Sequence, residues 1–173
     1  MLSLSDNEFS VLRFLVRNFT ERLTIRNIAK KLNFSPAGVF NILKKLENHQ
    51  IVAGEKLGTG LFYSINLENK IAEHLAAIVL LYSEEQIEKI DIEQINQAKA
   101  AIFDKKNLLL IVDNITILDI SIPDINVITK TQDEAIALLR KKDAEMLQLL
   151  RKGMVLFGED KIVEIIKNCI SRF

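Results

Sequence analysis

The stretch SPAGVFNILKK (35–45) carries the residue types best suited to recognition chemistry. The Asn41 carboxamide matches the paired donor and acceptor on an adenine edge, and Phe40 offers an apolar surface suited to a thymine methyl. Lys44 and Lys45 follow a turn later and suit phosphate oxygens. Ala37 and Gly38 are small. Gly38 costs about 1 kcal/mol of helix stability relative to alanine, so its place needs a reason. Close approach to a groove floor is one, and tight packing on a neighbouring helix is another. Other chemistry is sparse. His49 and His74 lie far apart in sequence, and Cys169 is the only cysteine. One cysteine excludes an internal disulfide and a multi-cysteine zinc site. Cys169 reads as a small packed hydrophobe. Asp104, Asp113 and Asp119 are not spaced as a pair. The expectation is no catalytic residue, no metal and no cofactor, hence no enzyme.

Short helices must position the recognition residues. Ser5 suits an N-cap, and Glu8 three residues on completes a capping box. Phe9, Leu12, Phe14, Leu15 and Val16 then give a helical apolar face. LTI (23–25) reads as a short strand, and Thr24 also suits the cap of a second helix. In that helix Ile28, Ala29 and Leu32 point inward, and Arg26, Lys30 and Lys31 outward. Asn33 tolerates positive φ and suits the turn. Ser35 is a good N-cap and Pro36 a good first-turn residue for a third helix. Its buried stripe is Val39, Ile42, Leu43 and Leu46. Two β-rich runs then flank Gly58-Thr59-Gly60, which predicts a β-hairpin over 51–67. The charge follows this layout. Residues 22–56 hold seven basic and two acidic residues, although the whole chain has zero net charge. A local basic surface suits a phosphate-bearing partner.

Helix, turn, helix and hairpin in this order make LTIRNIAKKLNFSPAGVFNILKKLENHQIV resemble the winged helix-turn-helix transcription regulators, the MarR-like and ArsR-like proteins broadly. The resemblance covers residues 1–68. It implies double-stranded DNA as partner. Ser35, Pro36 and Ala37 match the start of the recognition helix, and Gly38, Phe40 and Asn41 its groove-facing positions. Lys44 and Lys45 match phosphate contacts, and Arg26 joins them as an outward cation on the preceding helix. Lys56, Gly58, Thr59 and Gly60 match the wing. Gly38 and Phe40 depart from the family, where polar residues are usual.

Residues 69–90 read as a helical connector. Ile71, Leu75, Ile78, Val79 and Tyr82 recur at helical spacing. No glycine falls between Gly60 and Gly153, and no proline between Pro36 and Pro123, so no linker of that flexible kind is present. Related proteins often dimerise through a helix placed here, so a homodimer is expected; the alternative is packing within the chain. Residues 91–173 read as a small mixed sheet with helices on it. DIEQINQAKAAIF (91–103) begins as a helix, with Asp91 and Gln94 as a capping box. NLLLIVDN (107–114), ITILDIS (115–121) and INVIT (125–129) are strand-like. Helices are expected over 132–140, 143–152 and 160–172, with Gly153 as a C-cap.

INVITKTQDEAIALLRKKDAEMLQLLRKGMVLFGED resembles the rear of the small nucleotidyltransferase domains of the polymerase-beta superfamily, common in archaea and often fused to winged helices. Lys141-Lys142-Asp143 and Leu156-Phe157-Gly158-Glu159-Asp160 carry the likeness. The active family holds a triphosphate on a Gly-Ser loop and metal ions on an Asp-x-Asp pair. Here Asp104 and Lys105 replace Gly and Ser, and Asn107 and Leu109 stand where carboxylates belong. The resemblance therefore implies a degenerate, non-catalytic domain.

The fold expected is α+β: a winged helix, a helical connector and a nucleotidyltransferase-like domain. The longest apolar runs, such as LAAIVLLY (75–82), fall far short of the roughly 20 residues of a membrane span. With no signal-peptide pattern at Met1, a cytoplasmic location is expected, and the Ile and Lys content suits an archaeal source. The function expected is sequence-specific transcription regulation, with the rear domain serving dimerisation or contact with an effector or partner protein. A winged-helix adaptor for protein is the alternative, and an active nucleotidyltransferase the less favoured one.

Overall fold

The computed structural model describes residues 3–81, 90, 92–113 and 120–170. It is mixed α and β, with two small sheets, and falls into two compact units, Met1–Val79 and Leu80–Phe173.

The first unit opens with α1 (Asp6–Arg17), whose Ser5–Glu8 capping box forms as the sequence predicts. Thr24 caps α2 (Ile25–Leu32), which ends at Asn33 with φ 57 and ψ 40. That left-handed residue turns the chain into Ser35, the cap of α3 (Pro36–Asn48). A hairpin follows, β1 (Val52–Leu57) and β2 (Gly60–Ile65). Its loop has two residues, and Gly58 takes φ 59, as the first loop position of a type II′ turn requires. LTI (23–25) does not form a strand. Only Leu23 bridges to Tyr63, because Thr24 is already the helix cap. The core of this unit gathers Leu12, Leu15, Ile28, Val39, Leu43, Leu46 and Ile51, each at most 1% exposed. α4 (Lys70–Leu81) follows, capped by Asn69 Oδ1, which accepts from the Ile71 amide at 2.8 Å.

The second unit is built on a four-stranded sheet of order β5-β4-β3-β6. β3 (Ala100–Asp104) and β4 (Asn107–Val112) form an antiparallel hairpin, and β5 (Asn126–Thr131) runs parallel to β4. Leu108, Leu110 and Val112 face Ile95, Ala98 and Ala101 in one cluster. Leu109 and Ile111 point the other way and are also buried. Burial on both faces explains why NLLLIV reads as a continuous apolar run rather than an alternating one. Helices α5 (Gln132–Arg140), α6 (Ala144–Lys152) and α7 (Glu159–Ile170) pack against the strands and one another.

Three sequence expectations change here. The helix expected to begin the 91–103 segment is a single 3-10 turn at Ile92–Ile95 before β3 begins; Asp91 lies outside the described residues. A strand absent from the sequence reading, β6 (Met154–Phe157), pairs antiparallel with β3. Its four residues are too few for a local pattern, and its partner is about fifty residues away. Gly153 does follow α6, but in an extended conformation with φ −67 and ψ 150, because it leads straight into β6. Of ITILDIS (115–121), residues 115–119 lie outside the described residues.

Gly158 joins β6 to α7 at φ 74, and a Cβ there would stand 2.1 Å from the Lys99 carbonyl oxygen. Both the dihedral and the clash oppose a side chain. Gly158→Ala is expected to cost roughly 2–4 kcal/mol, read as a lower urea midpoint. Wild-type stability in that variant would contradict this packing.

Candidate nucleic-acid interface

Burial of one face of α3 decides which side chains remain outside. Val39, Leu43 and Leu46 are 0% exposed. At 3.6 residues per turn, Ala37, Asn41, Lys44 and Asn48 then lie on the opposite side, with Phe40 beside them. All five are exposed, Phe40 to 45%. The Lys44 ammonium lies 6.0 Å from the centre of the Phe40 ring, at the edge of cation–π reach. Ser35 and Pro36 are exposed at the helix start, and Ser35 Oγ accepts from the Gly38 amide at 3.0 Å. No neighbouring helix explains Gly38. Among the described residues, its chain neighbours and the backbone of its own helix aside, only Ser35 Oγ comes within 4 Å of where a Cβ would stand.

The surrounding cations are mostly outward. Arg22, Arg26, Lys30, Lys31, Lys44 and Lys56 are exposed. Lys45 is different. Its ammonium bonds to the Glu8 carboxylate at 2.8 Å and to the Ser3 carbonyl at 2.9 Å, so it is committed within the chain. One residue on a helix is a 100° rotation, which carries Lys45 from the outward face of Lys44 round to α1. In the hairpin, Lys56 pairs across from Leu61, with Gly58 and Thr59 exposed at the loop tip. The Phe62 ring lies over Gly60. Leu61, absent from the sequence reading, is 42% exposed. Its place in an alternating strand was the available signal.

Glu8 is 7% exposed. Burial alone would raise its carboxyl, but bonds from Lys45 and from the Ser5 backbone and side chain, with the charge of Lys45, outweigh this and hold it below 4.5. A depressed carboxyl contributes stability above its unfolded-state pKa and loses it as pH falls through the folded value. Glu8→Gln is therefore expected to flatten the acid limb of stability below about pH 4.5, and Glu8→Ala to cost about 1–2 kcal/mol near neutrality. Denaturant titrations across pH check both. An acid limb identical to wild type in Glu8→Gln would contradict the pairing.

Within the second unit, the described carboxylates considered for other chemistry stand at opposite ends of the β3–β4 hairpin. Asp104 ends β3 opposite Asn107 and accepts a 3.4 Å bond from Gln148. Asn107 Oδ1 accepts from Asn126 Nδ2 at 3.1 Å. Asp113, at the other end of the β3–β4 hairpin, pairs with Lys99 at 3.0 Å. Asp119 lies outside the described residues. Leu109 is buried at 1%. Among the described residues no three His, Cys, Asp or Glu cluster as metal ligands would. His49 caps the end of α3, its carbonyl accepting from Asn69 Nδ2, and His74 is exposed on α4. Burial pushes the Cys169 thiol up against the opposing charge of Arg140, which suppresses the thiolate needed for reactivity. No described helix is long and apolar enough to cross a membrane.

The helix–turn–helix and hairpin of the first unit are compatible with a winged helix. No protein-family model and no curated protein matches the chain. Chains of solved structures do match. One is the structure of CymR (YrzC), the global cysteine regulator of B. subtilis, 17% identical over 54% of this chain and 78% of that one, with a TM-score of 0.35. A likeness that loose carries no argument about this chain.

Proposed function

We propose that this chain is a sequence-specific DNA-binding transcription regulator that acts as a dimer. The first unit reads the duplex, and the second serves dimerisation or contact with an effector or protein partner, without catalysis. The observation that carries the reading is the outward face of α3. Ala37, Phe40, Asn41 and Lys44 stand there together, beginning at a capped helix start and ringed by exposed cations. That arrangement supplies a base-reading carboxamide, an apolar contact and phosphate partners on one helix. Ser35, Pro36 and Gly38 line its start, Arg26 and Lys44 take phosphates, and Lys56, Gly58, Thr59 and Gly60 form a wing on the neighbouring backbone. Lys45 is assigned to the fold instead.

The dimer reading is supported by α4. Ile71, Ile78 and Leu81 are 56, 52 and 43% exposed on that one helix, while Ala72, Ala76, Val79 and Leu80 are buried. Tyr82, the last residue of the expected stripe, lies outside the described residues. The non-catalytic reading is supported at the β3–β4 turn. It has two residues, Lys105 and Lys106, where a phosphate-cradling loop would need length and glycine. A degenerate nucleotidyltransferase-like second unit is proposed on its sequence motifs alone, and an archaeal source on the Ile and Lys content alone. A second reading, a winged helix that binds protein, is favoured by the exposed Phe40 and Leu61.

Anisotropy titrations on duplex DNA at several salt concentrations separate these readings. Lys44→Ala is expected to weaken all sequences alike and reduce the salt slope by about one. Lys45→Ala is expected to leave the slope near wild type. Asn41→Ala is expected to cost about 1–3 kcal/mol on the preferred site and relax base preference. An unchanged slope in Lys44→Ala, or unchanged preference in Asn41→Ala, would overturn the placement of α3 in a groove.

A further inference from the structure

We propose that Glu47 is a positioning residue that pins the hairpin to α3, so that the recognition helix and the wing form one reading unit. This role rests on the DNA-binding function proposed above. Glu47 stands in the last turn of α3, and its Oε1 accepts a hydrogen bond from the Gly54 amide at 3.2 Å. Gly54 is the third residue of β1. Glycine weakens a strand interior and there marks a close approach. The approach is that of Glu47: a Cβ on Gly54 would stand 2.8 Å from Glu47 Oε1 and 3.2 Å from the Tyr63 ring. Tyr63 is the ladder partner of Gly54. Burial first, and then the negative charge of Glu47, push its phenol above the ordinary value.

A carboxylate here is otherwise out of place. The C-terminal end of a helix disfavours negative charge, and Lys44, three residues earlier, belongs to a surface assigned to phosphates. A charge-assisted bond to a backbone amide compensates. Gly54 lies four residues before Gly58, the first residue of the hairpin loop, so the point at which Gly54 is held fixes where the loop lands relative to Asn41 and Lys44.

The test compares full-length wild type, Glu47→Ala and Glu47→Gln, with Glu55→Ala as a control. Glu55 is an exposed carboxylate on the same strand. In Glu47→Ala the Gly54 amide is expected to exchange with solvent roughly tenfold faster, the equivalent of one lost hydrogen bond. On a duplex protected by the wild type, the same variant is expected to keep the central hydroxyl-radical footprint, lose the flanking protection and bind about tenfold more weakly. Glu47→Gln keeps an acceptor oxygen and is expected to restore the flank. Glu55→Ala removes a charge without removing a tie and is expected to bind as tightly as wild type or tighter. Unchanged Gly54 exchange in Glu47→Ala, or a full footprint with the tighter binding of Glu55→Ala, would overturn the proposal. Should Glu47→Ala not fold, Gly54→Ala replaces it, since its Cβ displaces the carboxylate; an intact flank there would equally overturn the proposal. A wild type that protects no DNA would overturn the proposed function and the role of Glu47 on DNA, and Gly54 exchange would then report separately on the tie.

Discussion

The burial of Val39, Leu43 and Leu46 against α1, α2 and β1 is the constraint on which the first unit depends. A helix with one face committed to a core has only the other to offer. Each of those side chains is worth roughly 1.5–3 kcal/mol of burial, so no rotation of α3 that hid Asn41 or Lys44 would compete. The same commitment sets the division between the two adjacent lysines. Lys44 projects outward, while Lys45 turns toward α1 and meets a carboxylate that is itself tied to the α1 cap. The exposed face and the tie to α1 are two results of one packing decision.

The second unit obeys a different constraint. Its central hairpin is apolar on both faces, and the strands β5 and β6 and the three helices enclose it. Of the two positions where the nucleotidyltransferase resemblance would put carboxylates, Leu109 lies in the core and Asn107 stands half-buried at the start of β4. Polar groups stand instead at the strand ends, where Asn126 donates to Asn107 and Gln148 of α6 donates to Asp104.

What the sequence made legible was local. The caps at Ser5, Thr24, Ser35, Thr131 and Asp143 each involve residues within one turn. Of these, Ser5, Thr24 and Ser35 could be read from residue type and spacing, as could the left-handed Asn33 and the Gly58 turn. The exposed face of α3 followed from helical periodicity. What stayed hidden depended on partners distant in the chain. β6 is defined by pairing with β3, and Lys45 by an acid 37 residues earlier. The Glu47–Gly54 bond spans only seven residues, yet it needs the hairpin to fold back on the helix before it exists. The helix expected to begin the 91–103 segment is cut to one 3-10 turn because the sheet requires β3 soon after, and tertiary pairing overrides local propensity.

The most direct test of the account is selection of duplexes from a random DNA pool by the full-length wild-type protein at near-physiological salt. The account predicts one enriched sequence, arranged for a dimer as two symmetric half-sites about one helical turn apart. A folded protein that enriches no sequence would contradict it and leave the exposed face of α3, with Phe40 and Leu61, as a surface for protein.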